Sequence, residues 1–325
     1  MATQIGFPPA APTLSGDLLT ISRFLNDPLY VMRALRTLAE QMFVSNKLLT
    51  GQYFTQSGAV LYEQSETIYA DRVPQAVAPG GEYPKTTISL GAAQLANTVK
   101  WGEDAEVTDE AVNRFKIDAV RRTFIKLANS LVQNIDSVAM SAIYSQINSG
   151  NTTAAIASWT GSGSTPNIMR DVALAVQNIL AFKQGYQPDA VVLDLPLWAY
   201  VISDPTVLVA LSREQPGIQQ SPVMTGYENS VVKSFRLAGM TWYTSPNVPV
   251  TGDALVLDTT LYGAFVDETL PAPGYVASPD DDGWKIQTKT IREDKVDQWL
   301  LRARRTTVPI VQEPRAAWLI TSAGA

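Results

Sequence analysis

Apolar residues recur at helical spacing over one long stretch of the chain: Val112, Phe115, Val120, Phe124, Leu127, Leu131, Ile135, Val138 and Ile143. No Gly or Pro interrupts before Gly150. The spacing predicts a helix over 109–148, about 40 residues and roughly 60 Å long at 1.5 Å per residue. Thr108 suits the N-cap, and Asp109 and Glu110 place negative charge at the positive end of the helix dipole. Globular helices average about 11–12 residues, so one of this length is a strut, a coiled coil or a bundle member. The stripe keeps no strict heptad, which counts against an extended coiled coil.

The segments around this helix have other textures. Residues 1–50 begin with Phe7-Pro8-Pro9-Ala10-Ala11-Pro12, which packs neither as helix nor as central strand and reads as an extended arm. Asp27-Pro28 then starts a short amphipathic helix over 28–46, with Leu29, Met32, Leu35, Leu38 and Met42 on one face. Residues 51–107 alternate β-formers with polar residues: Val60, Tyr62, Thr67 and Tyr69, a tip at Pro79-Gly80-Gly81, then strand texture at 86–90 and 98–101. A two-stranded ribbon with so few apolar residues is marginal alone in water, so it must lie on something else, and a neighbouring subunit is the natural support.

Beyond the long helix, 149–166 is rich in Ser, Thr, Gly and Asn and reads as a flexible connector. An α/β pattern follows: a helix over 166–183, a buried strand at 190–195, a helix from Pro196 to Ser203, and strands at 241–244 and 254–258. The polar stretch 212–232, with Pro216, Gly217, Pro222 and Gly226, reads as a mobile loop. Alternation returns at Trp284, Ile286 and 288–291, and the end from Asp297 to Thr321 is strand-rich.

Composition narrows the chemistry. With 0 Cys and 0 His, the chain has no disulfide, no thiolate and no imidazole, so serine triads of the usual kind and His- or Cys-ligated metal sites are not expected. The net charge of −6 makes a specific duplex binder a poor reading but allows a container for nucleic acid. No run of apolar residues is long enough to span a membrane, and Met1-Ala2-Thr3-Gln4 lacks the features of a signal peptide. No cofactor and no catalytic residue is expected.

The motifs point the same way. Gly161-Ser162-Gly163 lacks the Gly-Lys-Ser/Thr end of a phosphate loop. Asp280-Asp281-Asp282-Gly283 lacks the alternate acids and distant Glu of a calcium loop. Asn151-Thr152-Thr153 matches a glycosylation acceptor with no secretory signal to use it. Glu103, Asp104 and Glu106 could be a carboxylate pair for hydrolysis, though acids at a helix entrance are explained by the dipole and by solubility. Arg121, Arg122, Arg302, Arg304 and Arg305 are diluted by Asp118, Asp136, Asp297 and Glu313, and inter-subunit ion pairing is their plainest use.

The order of these features resembles the major capsid proteins of tailed bacteriophages with the Hong Kong 97 fold. The run Val73-Pro74 to Pro79-Gly80-Gly81-Glu82-Tyr83-Pro84 looks like that family's E-loop tip. Trp101-Gly102-Glu103-Asp104 through Thr108-Asp109-Glu110 looks like its passage from ribbon into spine helix. Gly185-Tyr186-Gln187-Pro188-Asp189 through Leu193, Leu237-Ala238-Gly239, Ser245-Pro246-Asn247-Val248-Pro249 and 254–258 resemble its A-domain.

The resemblance implies an α+β, HK97-like fold. Its parts would be an N-terminal arm with a short helix (1–50), an E-loop (51–107), a P-domain spine helix with linker (108–165), an inserted α/β A-domain (166–272) and closing P-domain strands (273–325). It implies self-assembly into pentamers and hexamers of an icosahedral head around double-stranded DNA, touched weakly and non-specifically. Scaffolding, portal and decoration proteins would be further partners. The location would be the virion shell, assembled in the host bacterial cytoplasm without a membrane.

The inter-subunit contacts expected from this are Phe7, Leu18, Leu19 and Phe24 on the arm, and Val60, Tyr62, Tyr69, Tyr83 and Leu90 on the ribbon. Only about fifty residues precede the ribbon, so the long cleaved scaffold of some relatives is not expected. Lys85 lies where some relatives have a crosslinking Lys, but no Asn follows Asn247, and no Lys–Asn crosslink is expected. Two rivals remain: an encapsulin-type bacterial compartment, and a hydrolase using Glu103 and Asp104.

Overall fold

Thr108 caps a helix as its sequence position predicts: its hydroxyl accepts from the backbone N–H of Ala111 at 3.2 Å in a computed structural model of the chain. The structure describes residues 44–88, 90–115, 117–147, 150–161, 165–214, 234–277 and 286–324. Helical residues run over Asp109–Phe115 and Ile117–Ser145, the latter 29 residues and about 43 Å at 1.5 Å per residue. Its buried positions, Val120, Leu127, Leu131, Ile135, Ala139 and Ile143, recur at seven- and four-residue spacing, which keeps them on one helix face.

In chain order, the strands before the long helix are β1 (Gly51–Thr55), β2 (Ala59–Gln64), β3 (Ala92–Asn97) and β4 (Val99–Thr108). After it come β5 (Thr152–Ala154), β6 (Ala190–Leu193), β7 (Ser234–Leu237), β8 (Met240–Thr244) and β9 (Ala254–Leu257). The last are β10 (Gly263–Glu268), β11 (Val276–Ala277), β12 (Gln287–Glu293), β13 (Gln298–Val311) and β14 (Ala317–Thr321). The described residues divide into two units. One draws on Val99–Asn134 and Asp267–Thr307, the other on Phe43–Thr98, Ile135–Val266 and Val308–Ala325.

The second unit is built on a mixed sheet in the order β5-β14-β9-β6-β8-β7. Its central strands β6 and β9 are uniformly apolar and wholly buried, the signature of strands covered on both faces. β7 and β8 form a hairpin through Ala238 and Gly239, both at positive φ, which is the turn that matches the strand twist and favours Gly. The helix Ile168–Ala181 packs on β14 and β9 through a face that includes Ile168, Val172, Ala175 and Ile179. Asn167 caps it by accepting from the Arg170 N–H. Asp194 caps Leu195–Ser203 by accepting from the Leu197 N–H at 2.8 Å, with Pro196 in the first turn.

The first unit carries an antiparallel array, β11-β12-β13-β4. β13 lies between β12 and β4, so Arg302 stands opposite Asp104 and Lys289, and Arg304 opposite Gly102 and Gln287.

Several expectations change. The connector 149–166 is not wholly flexible. Thr152–Ala154 adds a parallel strand to β14, and Trp159 is buried with its indole N–H on Asp171 at 2.8 Å. Asn151 is buried and donates to the carbonyls of Pro314 and Ala317, so the apparent glycosylation motif is internal packing. Thr and Ala in 152–154 are adequate strand formers once β14 offers an edge, which composition cannot reveal. The expected strand at 86–90 is absent among the described residues there, because β2 finds its partner at Ala92–Asn97 instead. A helix, Pro205–Glu214, occupies the start of the expected loop; Asp204-Pro205 is the same Asp-Pro start signal as Asp27-Pro28. The arm residues Phe7, Leu18, Leu19 and Phe24, most of the helix expected over 28–46, the rest of the loop 212–232, and Asp280 to Gly283 lie outside the described residues.

Candidate assembly surface

The ribbon is the hairpin β2–β3, and its register sorts its residues into two faces. Val60 pairs with Ala96 and Tyr62 with Gln94; Leu61 pairs with Leu95 and Glu63 with Ala93. Side chains alternate across a strand, so the first two pairs share one face and the last two the other. On the first face Val60, Tyr62 and Ala96 pack onto Ala264, Val266 and Ile310 of the same chain. Burial raises the pKa of the Tyr62 hydroxyl. On the second face Leu61 and Leu95, directly opposite each other, are 72% and 66% exposed.

Beyond the hairpin, residues 66–88 extend without a ladder and expose Ile68, Tyr69, Val73, Tyr83 and Ile88; Leu90 is exposed on the return. Exposed apolar residues are ordinary when scattered, but a run of them on one projecting segment marks a contact surface.

The root of this segment is fastened by specific hydrogen bonds. Gln64 donates from its side chain to the Val311 carbonyl at 3.1 Å, and the Ser65 N–H donates to the Gln312 carbonyl at 3.0 Å. The Ile68 N–H donates to the Gln184 side-chain oxygen at 3.0 Å. Beside it, the Glu313 carboxylate accepts from the Tyr186 hydroxyl at 2.8 Å. Burial raises the pKa of both Glu313 and Tyr186.

The basic cluster on β13 is spent inside the chain. Arg302 makes a two-pronged pair with Asp104, at 2.6 and 2.5 Å, and Arg305 makes one with Asp267, at 2.9 and 2.8 Å. Arg304 donates to Gln287 and to the Leu270 carbonyl while its guanidinium stacks 3.7 Å from the Tyr275 ring centre. Inter-subunit pairing, expected of these arginines, gives way to pairing fixed by the β12–β13–β4 register. Arg292 similarly clasps Asp109 at the start of the long helix, both bonds 2.7 Å, and its guanidinium holds the Asp109 carboxyl below the usual aspartate range.

Lys100, Gly102, Glu103, Asp104, Tyr275, Arg302 and Arg304 line a groove of about 400 Å³. Glu103 and Asp104 are consecutive on a strand, so they point to opposite faces, and Asp104 is already paired. They do not form the facing carboxylates that glycoside hydrolysis needs. Asp136, which the sequence suggested as a diluting surface acid, is buried. It accepts from the N–H groups of Val44 and Ser45 and from the side chains of Ser245 and Asn247. No cluster of metal-ligating residues occurs among the described residues, and no described helix is long and apolar enough to cross a membrane.

Of the ribbon residues named from sequence, Tyr69, Tyr83 and Leu90 are exposed, whereas Val60 and Tyr62 are half-buried on the subunit's own core. Leu61 and Leu95 were missed. The signal for Leu61 was present: Val60-Leu61-Tyr62 is apolar at consecutive positions, so both faces of that strand must meet something.

A family model described as phage capsid protein matches residues 91–320. No curated protein sequence matches the chain. Three solved structures are similar in fold. A phage-related protein from Bordetella bronchiseptica RB50 has 12% identity and TM-score 0.57, over 92% of this chain and 97% of that one. A structure from Microbacterium phage Oxtober96 has 12% identity and TM-score 0.54, over 99% and 96%. The holo-SrpI encapsulin complex from Synechococcus elongatus PCC 7942 has 10% identity and TM-score 0.52, over 84% of each chain.

Proposed function

This chain belongs to the phage capsid protein family, and from that premise we propose that it tiles the icosahedral head of a tailed phage around double-stranded DNA. It is a capsid shell protein with an HK97-like, mixed α+β fold. In our reading, residues 51–107 are the E-loop, the long helix is the spine of the P-domain, 166–272 the inserted A-domain and 273–325 the closing P-domain strands. Subunits close head-to-tail into rings of five and six, with unlike surfaces meeting at each contact. The segment 212–232 faces the ring centre, and the arm residues Phe7, Leu18, Leu19 and Phe24 clasp a neighbour.

One observation carries this reading best: the ribbon's inner face is occupied by its own subunit, while the Leu61–Leu95 pair on its outer face is uncovered. Burying a leucine is favourable by about 1.5–3 kcal/mol, so a second copy lying on this face gains from each contact around a ring. Tyr69, Tyr83 and Leu90 extend the same contact toward the tip. Val60 and Tyr62 support it indirectly, by fixing the ribbon's orientation from beneath.

Deleting residues 73–88 tests the role of the ribbon. The root and the hairpin lie outside the deletion, so the subunit is expected to fold with unchanged circular dichroism and to form no shells under negative-stain microscopy. Intact particles would overturn the assignment.

The similarity to the SrpI encapsulin complex supports a second reading, a protein compartment of the same architecture. The contents of purified particles separate the two: packaged double-stranded DNA supports the phage head, and an enclosed protein cargo supports the compartment.

A further inference from the structure

The arginines of β13 differ in one respect. Arg302 has Asp104 and Arg305 has Asp267, each through two bonds. Arg304 is only 8% exposed, yet among the described residues no carboxylate pairs with it. Its partners are neutral. Nε donates to the Gln287 side-chain oxygen and Nη2 to the Leu270 carbonyl, both at 2.8 Å, and the guanidinium lies 3.7 Å from the Tyr275 ring centre. These contacts fix the plane of the group but leave its charge uncompensated. A charge taken out of water is costly unless an opposite charge meets it.

The register of the first unit gathers the surroundings on one face. Gln287, Arg304 and Gly102 form one row across β12, β13 and β4, and Lys289, Arg302 and Asp104 form the next. Lys100 lies two residues before Gly102, on the same face of β4. At Gly102 a Cβ would come within 3.0 Å of the Arg304 Cβ, so the strand beside Arg304 is bare backbone. In the groove of about 400 Å³ at this place, Arg302 and Asp104 cancel. Lys100 is exposed and has no ion-pair partner among the described residues, and Glu103 is the one remaining acid among the lining residues. Lys289, 5.5 Å from the Tyr275 ring centre, adds a further cation. The groove is positive on a chain whose net charge is −6.

We propose that this groove is a phosphate-binding site, with Lys100 and Arg304 as its charged donors. The third guanidinium nitrogen of Arg304, Nη1, makes no hydrogen bond among the described residues and is not sealed from solvent. A fixed guanidinium edge and an ammonium point charge are the pair that phosphate oxygens accept from best. Two uncompensated cations suit an anion whose charge is spread over several oxygens better than a single carboxylate. The groove also leaves room for what the phosphate is attached to. Free phosphate and the DNA backbone share this chemistry. With DNA as the source, the inference rests on the reading of the chain as a shell around DNA and names where the wall touches it. The acidic chain repels DNA at a distance, so such contact is local, weak and salt-sensitive, as a container wall requires.

Binding of a short fluorescein-labelled DNA duplex to the full-length chain is measured by anisotropy at several salt concentrations. Inorganic phosphate then serves as competitor, with sodium chloride of equal ionic strength as control. Phosphate is expected to displace the duplex. Lys100→Gln is expected to weaken duplex binding several-fold and to reduce the slope of log K against log salt by about one, and Arg304→Gln to do the same. Glu103→Gln, which removes the opposing acid, is expected to tighten it. A merely structural role for Arg304 would lower the denaturation midpoint and leave the salt slope alone. Lys100 is exposed, so its variant keeps the test open if Arg304→Gln fails to fold. A midpoint raised by phosphate in wild type but not in Lys100→Gln, with no duplex bound, supports the site and identifies free phosphate as its ligand. Binding of neither probe, or binding unchanged in both variants, would overturn the site. So would loss of particles in both variants with probe binding intact, which assigns the groove to an acidic side chain of a second copy. Particles that package DNA while Lys100→Gln binds like wild type sink the site alone. Lysine-dependent phosphate binding by a chain that forms no particles sinks the shell reading and leaves the site standing.

Discussion

Arg305 and Asp267 meet as a two-pronged ion pair whose side chains are only 1% and 2% exposed. Two parallel N–H···O bonds give the pair a fixed geometry. Breaking one side leaves an uncompensated charge in the interior. Asp267→Asn or Arg305→Ala is therefore expected to lower unfolding free energy by about 3–5 kcal/mol, read from urea denaturation. The double replacement Arg305→Met with Asp267→Leu removes both charges and is expected to recover most of that loss. A double variant as unstable as either single one would show that the pair does more than neutralise itself.

Asp136 is a second buried acid, but its partners are N–H and O–H donors rather than a cation. It holds the Ser45–Leu48 turn through the Val44 and Ser45 N–H groups, at 3.1 and 2.8 Å. Asp136→Ala leaves these donors without an acceptor, at about 1–3 kcal/mol for each buried group. Asp136→Asn keeps one acceptor oxygen but turns a donor toward the others, so an intermediate loss is expected. Limited proteolysis checks the local consequence: cleavage near residues 44–50 should appear in the Ala variant before global unfolding does.

The long helix, the buried strands at 190–193 and 254–257 and the cap at Thr108 were legible because each is announced locally, whereas Asp194, read as part of the strand, proves to be the cap of the next helix. Apolar period, a capping residue and a Pro or acid in the first turn all fall within a few residues. The ribbon was legible as a ribbon but not in its phase. Val60, Leu61 and Tyr62 are all apolar, so alternation alone cannot say which face meets the subunit's own core. The ion pairs were illegible for a different reason. Arg302 and Asp104 are far apart in sequence and meet only because β13 and β4 run antiparallel in one register. The same holds for the parallel edge strand at Thr152–Ala154, which exists because β14 supplies an edge.

The pair between Arg292 and Asp109 gives a pH signature. Asp109 has its pKa lowered, chiefly by the hydrogen bonds from Arg292. Its contribution is therefore present above the ordinary aspartate value and is lost as pH falls through the lower value of the folded state. The carboxylate also sits in the first helical turn, where the dipole favours it. Both groups are partly exposed, so solvent screening keeps the effect small. Asp109→Asn is expected to flatten the acid limb of a denaturation-midpoint profile while leaving the midpoint near neutrality only slightly lower. An unchanged acid limb would show that other carboxylates dominate there.

The two faces of β2 allow folding and assembly to be separated in one hairpin. Val60 packs on the subunit's own core, whereas Leu61, its neighbour, faces out with Leu95. Exposed substitutions usually change stability by no more than about 0.5 kcal/mol, so Leu61→Ser with Leu95→Ser is expected to leave the denaturation midpoint almost unchanged. If a second copy covers the pair, the same change removes about 1.5–3 kcal/mol of burial per leucine from each contact. A loss of about 3 kcal/mol per contact is more than a hundredfold in its association constant, and a shell repeats that contact around every ring. The variant should then remain as free subunits at concentrations where wild type forms particles, measured by sedimentation velocity. Val60→Ser should do the opposite: it exposes no new surface for a partner but weakens the packing beneath the ribbon, so the midpoint falls first. If the leucine variant assembles at the wild-type concentration, the outer face of the hairpin is not where the copies meet.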